Sequence, residues 1–125
     1  MKLERYRRWA LAIGIAASAV LFLAPVSNPV PAVEGIETDK LAHALLVGAL
    51  AGLIRWNLPA GRRQAVAAVL LAGTYAGLIE LIQGMLAFRS GDVMDLLAGV
   101  LGAGVFVAAV ALVTKRRGAR ATKRT

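Results

Sequence analysis

RSGDVMDLLAGVLGAGVFVAAVALV, residues 89–113, begins with three charged side chains and then continues through eighteen residues, 96–113, without another. With its flanks, such a run is long enough to cross a bilayer. Arg89, Asp92 and Asp95 recur at three-residue spacing and so share one stripe of a helix. Gly99 and Gly102 continue the stripe of Asp92 and Asp95 at about 100° per residue. Ionisable groups at membrane depth are costly and usually face a bundle interior or a wet cavity. The stretch therefore reads as a membrane helix whose packing face is also its polar face.

Working outward, the same pattern recurs at one end of two more apolar runs. Asp39, Lys40 and His43 open one run, and Glu80 and Gln83 close the next. The chain has 125 residues, 58% of them hydrophobic, which is more than a soluble domain of this size hides in one core. A single domain covering 1–125 is expected, an all-α membrane protein built as a compact bundle of four transmembrane helices. The spans are expected at about 9–26, 38–56, 65–86 and 92–113, with a basic tail at 114–125. Pro25 and the Pro-rich stretch through Pro31 end the first. A basic start, an apolar run and small residues around Val30-Pro31-Ala32 also resemble a signal peptide. The run is long for a signal core and Pro31 interrupts the cleavage motif, so a retained span is the expectation.

The fifteen Lys and Arg residues orient the bundle. Thirteen of them fall at the N-terminus, in the connection holding Arg55, Arg62 and Arg63, or in the tail. Only Lys40 and Arg89 fall on the other side. The positive-inside rule then places both termini in the cytoplasm, with the polar groups facing outward. Trp9 and Trp56 suit the cytoplasmic interface. In this setting the net charge of +8 points to anionic lipid head groups as partners, not to nucleic acid. Cysteine is absent, so disulfide and thiolate chemistry are excluded.

Small residues at four-residue spacing allow close helix approach in lipid, where no hydrophobic effect joins helices. Gly73, Gly77, Glu80 and Gly84 share a face. Asp39 and His43 share another, but Gly48 and Gly52 point almost opposite to them, so the second helix should contact partners on both sides, the first span among them. These glycine faces also permit a homo-oligomer.

His43, Glu80 and Asp95 are the candidate catalytic or acid/base groups. Asp39, Lys40, Gln83, Arg89 and Asp92 are the candidate ligand-binding groups, with Arg89 able to present a fork to an anion. Blander roles compete. Asp92 suits a helix N-terminus, Glu80 suits an ion pair with Arg89, and His43 suits a hydrogen bond within a packed bundle. No sequence motif demands a cofactor. The acids and the one histidine are able to hold a hard divalent cation such as Mg²⁺ or Ca²⁺, and zinc is less favoured with one histidine and no cysteine. Walker loops, nucleotide fingerprints and paired-histidine zinc motifs are all missing.

Three blocks resemble the VanZ-like family. They are Asp39-Lys40-Leu41-Ala42-His43, Glu80-Leu81-Ile82-Gln83 and Arg89 to Ala103, matching that family's D-K-x-x-H, E-x-x-Q and R-S-x-D-x-x-D-x-x-A-N-x-x-G-A pattern. The chain departs from the pattern at Gly99, where the family has Asn. The resemblance implies a cell-envelope role of the kind that gives bacteria low-level resistance to teicoplanin. Its binding version is an accessory protein that holds a lipid-linked cell-wall precursor, a glycopeptide or another amphipathic ligand. A small intramembrane hydrolase or transferase using His43 and carboxylates is the alternative, weakened by the want of a nucleophile. A structural membrane protein whose polar network sets helix register is the third reading.

Overall fold

Pro25 decides where the first helix stops. Ala24, just before it, is extended at φ −65° and ψ 139°, as expected for a residue that a following proline pushes out of the helical region. A computed structural model describes residues 1–25 and 38–122. Among them are four helices and no strand: α1 (Lys2–Leu23), α2 (Thr38–Asn57), α3 (Gln64–Met85) and α4 (Val93–Thr122). The all-α reading of the sequence agrees with this.

α2 and α3 match the expected spans to within one residue at each end. α1 does not. It begins at Lys2 because the Lys/Leu/Glu/Arg-rich start favours helix, and it ends at Leu23, not at residue 26. The proposed end of that span and the Val30-Pro31-Ala32 site lie outside the described residues. α4 also exceeds its span, since the basic tail continues the helix to Thr122. Lys and Arg form helix well and suit a helix C-terminus.

Among the described residues, three helices are long and apolar enough to cross a membrane: α1, α3 and the Val93–Arg116 part of α4. α2, expected as a fourth span, has the length but not the apolarity. Its position explains the difference. α2 packs against all three other helices, whereas α1 and α4 lie apart from each other. Its polar groups bond to neighbours: His43 is fully buried, and Arg55 Nη1 donates to the Val107 carbonyl at 3.1 Å.

The packing puts small side chains inside and large ones outside. Ala51, Ala68, Ala72, Ala76 and Ala103 are fully buried, while Leu70, Leu78, Leu81, Leu101 and Val105 are exposed. That inversion suits a lipid surround, where association relies on close backbone packing. It is tightest between α2 and α4. A Cβ on Gly102 would meet the Ala44 carbonyl, and one on Gly48 would lie 2.9 Å from the Gly102 oxygen. The Gly48/Gly52 face packs on α4, with Phe106 over Gly52. α1 reaches α2 through Leu53 and Leu50 beside Gly14, so the first span is among the partners of α2, as expected.

Side-chain bonds hold α1 in place. Arg7 Nη2 donates to the Trp56 carbonyl, and Asn57 Nδ2 donates to the Arg7 carbonyl at 3.0 Å. Nearer the other end, the Ser18 and Tyr75 hydroxyls are 2.7 Å apart. The helices therefore alternate in direction, and the end of α1, the start of α2, the end of α3 and the start of α4 meet at one end of the bundle.

The crossing makes a paired prediction. Gly102→Ala drives a methyl into backbone and should cost about 1–3 kcal/mol by overpacking. Gly104→Ala meets nothing within 4 Å and should be neutral or stabilising by up to about 1 kcal/mol, from helix propensity. Thermal unfolding in detergent checks both, and equal effects would contradict the crossing.

Candidate functional site

His43 lies at the centre of the end where the four helices meet. Its Nδ1 is 3.0 Å from the Asp39 carbonyl one turn earlier. A carbonyl only accepts, so Nδ1 carries the hydrogen. The Phe22 ring, from the last turn of α1, stacks on the imidazole with centroids 4.3 Å apart. Nε2 is left facing Glu80. Glu80 Oε1 is 3.2 Å from it, within ion-pair range, yet the alignment is not that of a hydrogen bond and both atoms are buried without a hydrogen-bond partner. Asp95 Oδ2 is 4.0 Å from Nδ1, and Asp95 Oδ1 is also buried without a hydrogen-bond partner.

The α3–α4 connection supplies the next ring of contacts. The Asp92 N–H donates to Glu80 Oε2 at 2.7 Å. Gly91 makes this approach practicable, since a Cβ there would lie 2.9 Å from the Glu80 carbonyl oxygen. Asp92 caps α4: its Oδ1 accepts the Met94 N–H at 2.8 Å. That hydrogen bond, with Lys40 adding to it, holds the Asp92 carboxyl below its ordinary value. Lys40 Nζ is 3.4 Å from Asp92 Oδ2 and 3.8 Å from Asp95 Oδ1.

Gln83 and Arg89 serve the end of α1. Gln83 Nε2 donates to the Phe22 carbonyl at 2.8 Å and Arg89 Nη2 donates to the same oxygen at 3.1 Å. Terminal helix carbonyls lack intrahelical partners and carry partial negative charge, so an amide and a guanidinium suit them. Arg89 Nη1 also lies 3.3 Å from Asp39 Oδ2. The guanidinium is thus paired with Asp39, and not with Glu80 as the bland reading of the sequence had it.

The structure therefore brings His43, Glu80 and Asp95 together in a buried centre. Asp39, Lys40, Arg89 and Asp92 form a charged rim around it, and Gln83 sits behind with α1. Ser90 is exposed. Phe22 is the site residue that the sequence did not reveal, because its spacing resembles any other apolar position of α1. One donor atom from each of His43, Glu80 and Asp95 lies within 4.8 Å of the others, an arrangement able to hold a metal ion.

Beside the centre, α3 and α4 leave a groove of about 590 Å³. Gly77, Leu78, Leu81 and Leu96 line its apolar part, and Glu80 and Asp92 stand at its polar end. No protein-family model, curated protein or solved structure matches the chain.

Two outcomes follow from these contacts. Gln83→Ala leaves the buried Phe22 carbonyl with Arg89 alone, and should cost about 1–3 kcal/mol in thermal unfolding. Asp92 titrates lower in the folded chain than unfolded, so its contribution is present above the unfolded value and is lost as pH falls through the folded one. Asp92→Ala should therefore lower Tm at neutral pH, with the deficit shrinking once the pH falls below the ordinary value of 3.8. A deficit that persists unchanged in acid would contradict this role.

Proposed function

We propose that the protein is a four-span, VanZ-like accessory of the bacterial cell envelope, with both termini cytoplasmic, that binds an amphipathic or lipid-linked ligand at its outward-facing end. The observation that carries the reading is a groove with an apolar floor that ends on the buried carboxylate of Glu80 and the part-exposed one of Asp92. Its walls belong to two helices apolar enough to cross a membrane, so an acyl chain reaches it from the bilayer. Its volume is in the usual range for small-molecule sites, about 300–1,000 Å³. Glu80 and Asp92 accept hydrogen bonds, which suits a head group rich in hydroxyl or amine donors, as in a lipid-linked sugar or an acylated glycopeptide.

Topology supports the orientation. Arg7, Arg55 and Trp56 gather at the end opposite His43, which fits the positive-inside bias and an interfacial tryptophan. Within this reading Arg89 holds α1 against the site through Asp39 and Phe22, and need not be the direct partner of an anion.

Ligand protection in nanodiscs tests the proposal. A lipid-linked phosphate sugar or teicoplanin should raise Tm saturably, by the equivalent of about 2.7 kcal/mol at a hundredfold excess over Kd. Gly77→Leu, which fills the groove between α3 and α4, should abolish the shift. A flat response of the wild type to both ligands would sink the idea.

A hydrolase or transferase is the second reading, favoured by one feature, the Nε2 of His43 without a hydrogen-bond partner beside the Glu80 carboxylate. With Nδ1–H fixed on Asp39, that nitrogen is placed to take a proton from water. An unchanged resistance phenotype in His43→Ala at equal expression would remove it.

A further inference from the structure

We infer that His43, Glu80 and Asp95 form a binding site for one divalent transition-metal ion of the zinc or manganese class. The inference stands on the cluster itself and does not require the groove to hold an amphiphile.

Three atoms carry the argument: His43 Nε2, Glu80 Oε1 and Asp95 Oδ1 are all buried and lack hydrogen-bond partners. His43 is fully buried, and the side chains of Glu80 and Asp95 are 9% exposed. Buried polar groups are ordinarily paired, and each exception requires a reason. All three atoms present lone pairs. Nδ1 holds the ring hydrogen against the Asp39 carbonyl, so neutral His43 offers only a lone pair at Nε2. A lone pair beside the Glu80 oxygen is repulsive unless a proton or a metal cation stands between them.

The surroundings are those of a metal site's outer shell. An imidazole that binds metal usually donates its other N–H to a carbonyl or carboxylate, which fixes tautomer and ring direction. Asp39 supplies that carbonyl. The Asp92 N–H engages Glu80 Oε2 and leaves Oε1 for the ion. Phe22 closes one face of the ring.

Charge suits a dication. Among the described residues, the carboxylates of Asp39, Glu80, Asp92 and Asp95, when ionised, outnumber the cations Lys40 and Arg89 beside them, and a dication would offset the excess. Bonds to zinc of about 2.0–2.2 Å place neighbouring donors about 3–4 Å apart. One donor atom from each of the three residues lies within 4.8 Å of the others, and the Asp95 carboxylate, 4.0 Å from Nδ1, would turn toward Nε2 to complete the set. One imidazole and two carboxylates favour zinc, manganese or ferrous iron over magnesium or calcium, which prefer all-oxygen shells. This revises the hard-cation expectation drawn from composition. Three protein ligands also leave a position for water.

The test uses the purified full chain in nanodiscs, stripped with chelator and then titrated with ZnCl₂ or MnCl₂ without any amphiphile. Elemental analysis after desalting should find one ion per chain, with a saturable rise in Tm. His43→Phe keeps the stack on Phe22 but removes the nitrogen, and should weaken binding at least tenfold. Glu80→Gln keeps an oxygen for the Asp92 N–H and should do likewise, and it serves if the first variant fails to fold. Gly104→Ala, which meets nothing within 4 Å, should bind metal as the wild type does. Less than a tenth of an ion per chain with both metals would overturn the inference. So would equal binding by wild type and the folded site variants, or a Tm that responds to pH alone, the behaviour of a cluster neutralised by protons. Metal binding without ligand protection would leave this site standing and remove the proposed function. The reverse result would do the opposite.

Discussion

The approach of α4 to α2 sets how near His43 can come to Asp95. The Ala44 carbonyl occupies the space a side chain at Gly102 would fill, and the Gly102 oxygen does the same for Gly48. His43 directly precedes Ala44, and Asp95 lies two turns before Gly102 on one stripe of α4. Two backbones that touch at this crossing bring those side chains into one small volume. Larger residues there would push the helices apart and separate imidazole from carboxylate. A lipid surround, which the exposed apolar side chains suit, would not drive helices together by apolar burial, so the crossing would draw support from elsewhere. The polar bonds at both ends of the bundle supply it, so packing and polar chemistry stabilise each other.

Electrostatics then explains the order of the shells. Buried charge is costly unless it is paired and hydrogen-bonded. The more exposed acids have cations beside them, Asp39 with Arg89 and Asp92 with Lys40. Among the described residues, the two most buried acids, Glu80 and Asp95, lie beside the one histidine of the chain. Asp95 has Lys40 at 3.8 Å, and Glu80 has one backbone N–H. The deepest negative charge is therefore the least compensated. A site meant only to hold helices in register would be better served by complete pairing, as the Gln83–Phe22 contact shows a few ångströms away.

Much of this was legible in the sequence because two signals coincided. The stripe from Asp92 through Gly102 and the stripe from Gly73 through Gly84 each combine small and acidic residues, and helical phase alone places them on packing faces. What escaped depended on neighbours. Whether α2 meets lipid is decided by three other helices, and its own composition shows only that, with charged residues near both ends, it lacks a stretch apolar enough to be read as a span. The buried alanines 68, 72 and 76 look like any alanines in a membrane segment until a partner covers them. Arg89 had several acids within reach of its sequence position, and only the fold selects Asp39. Phe22 carries no signal beyond hydrophobicity, yet its ring and its carbonyl both serve the site. The extension of α4 through the basic tail reflects local propensity, which a span-based reading ignores.

Gly99 joins these levels. It is where the chain departs from the motif it resembles, and it lies on the α4 stripe one turn beyond Asp95. A Cβ at this position would lie 3.1 Å from Val47 Cγ2, and Val47 is fully buried one turn beyond His43. Val47 is β-branched and stiff at its first torsion, so it cannot swing away to admit an amide. The two residues are therefore complementary: a glycine on α4 accommodates a valine on α2, directly behind the polar centre. An asparagine in the same place would require a smaller residue at 47 and would bring an amide to the apolar side of His43. Here that side stays apolar, and the polarity of the centre comes wholly from His43, the carboxylates and the rim that surrounds them.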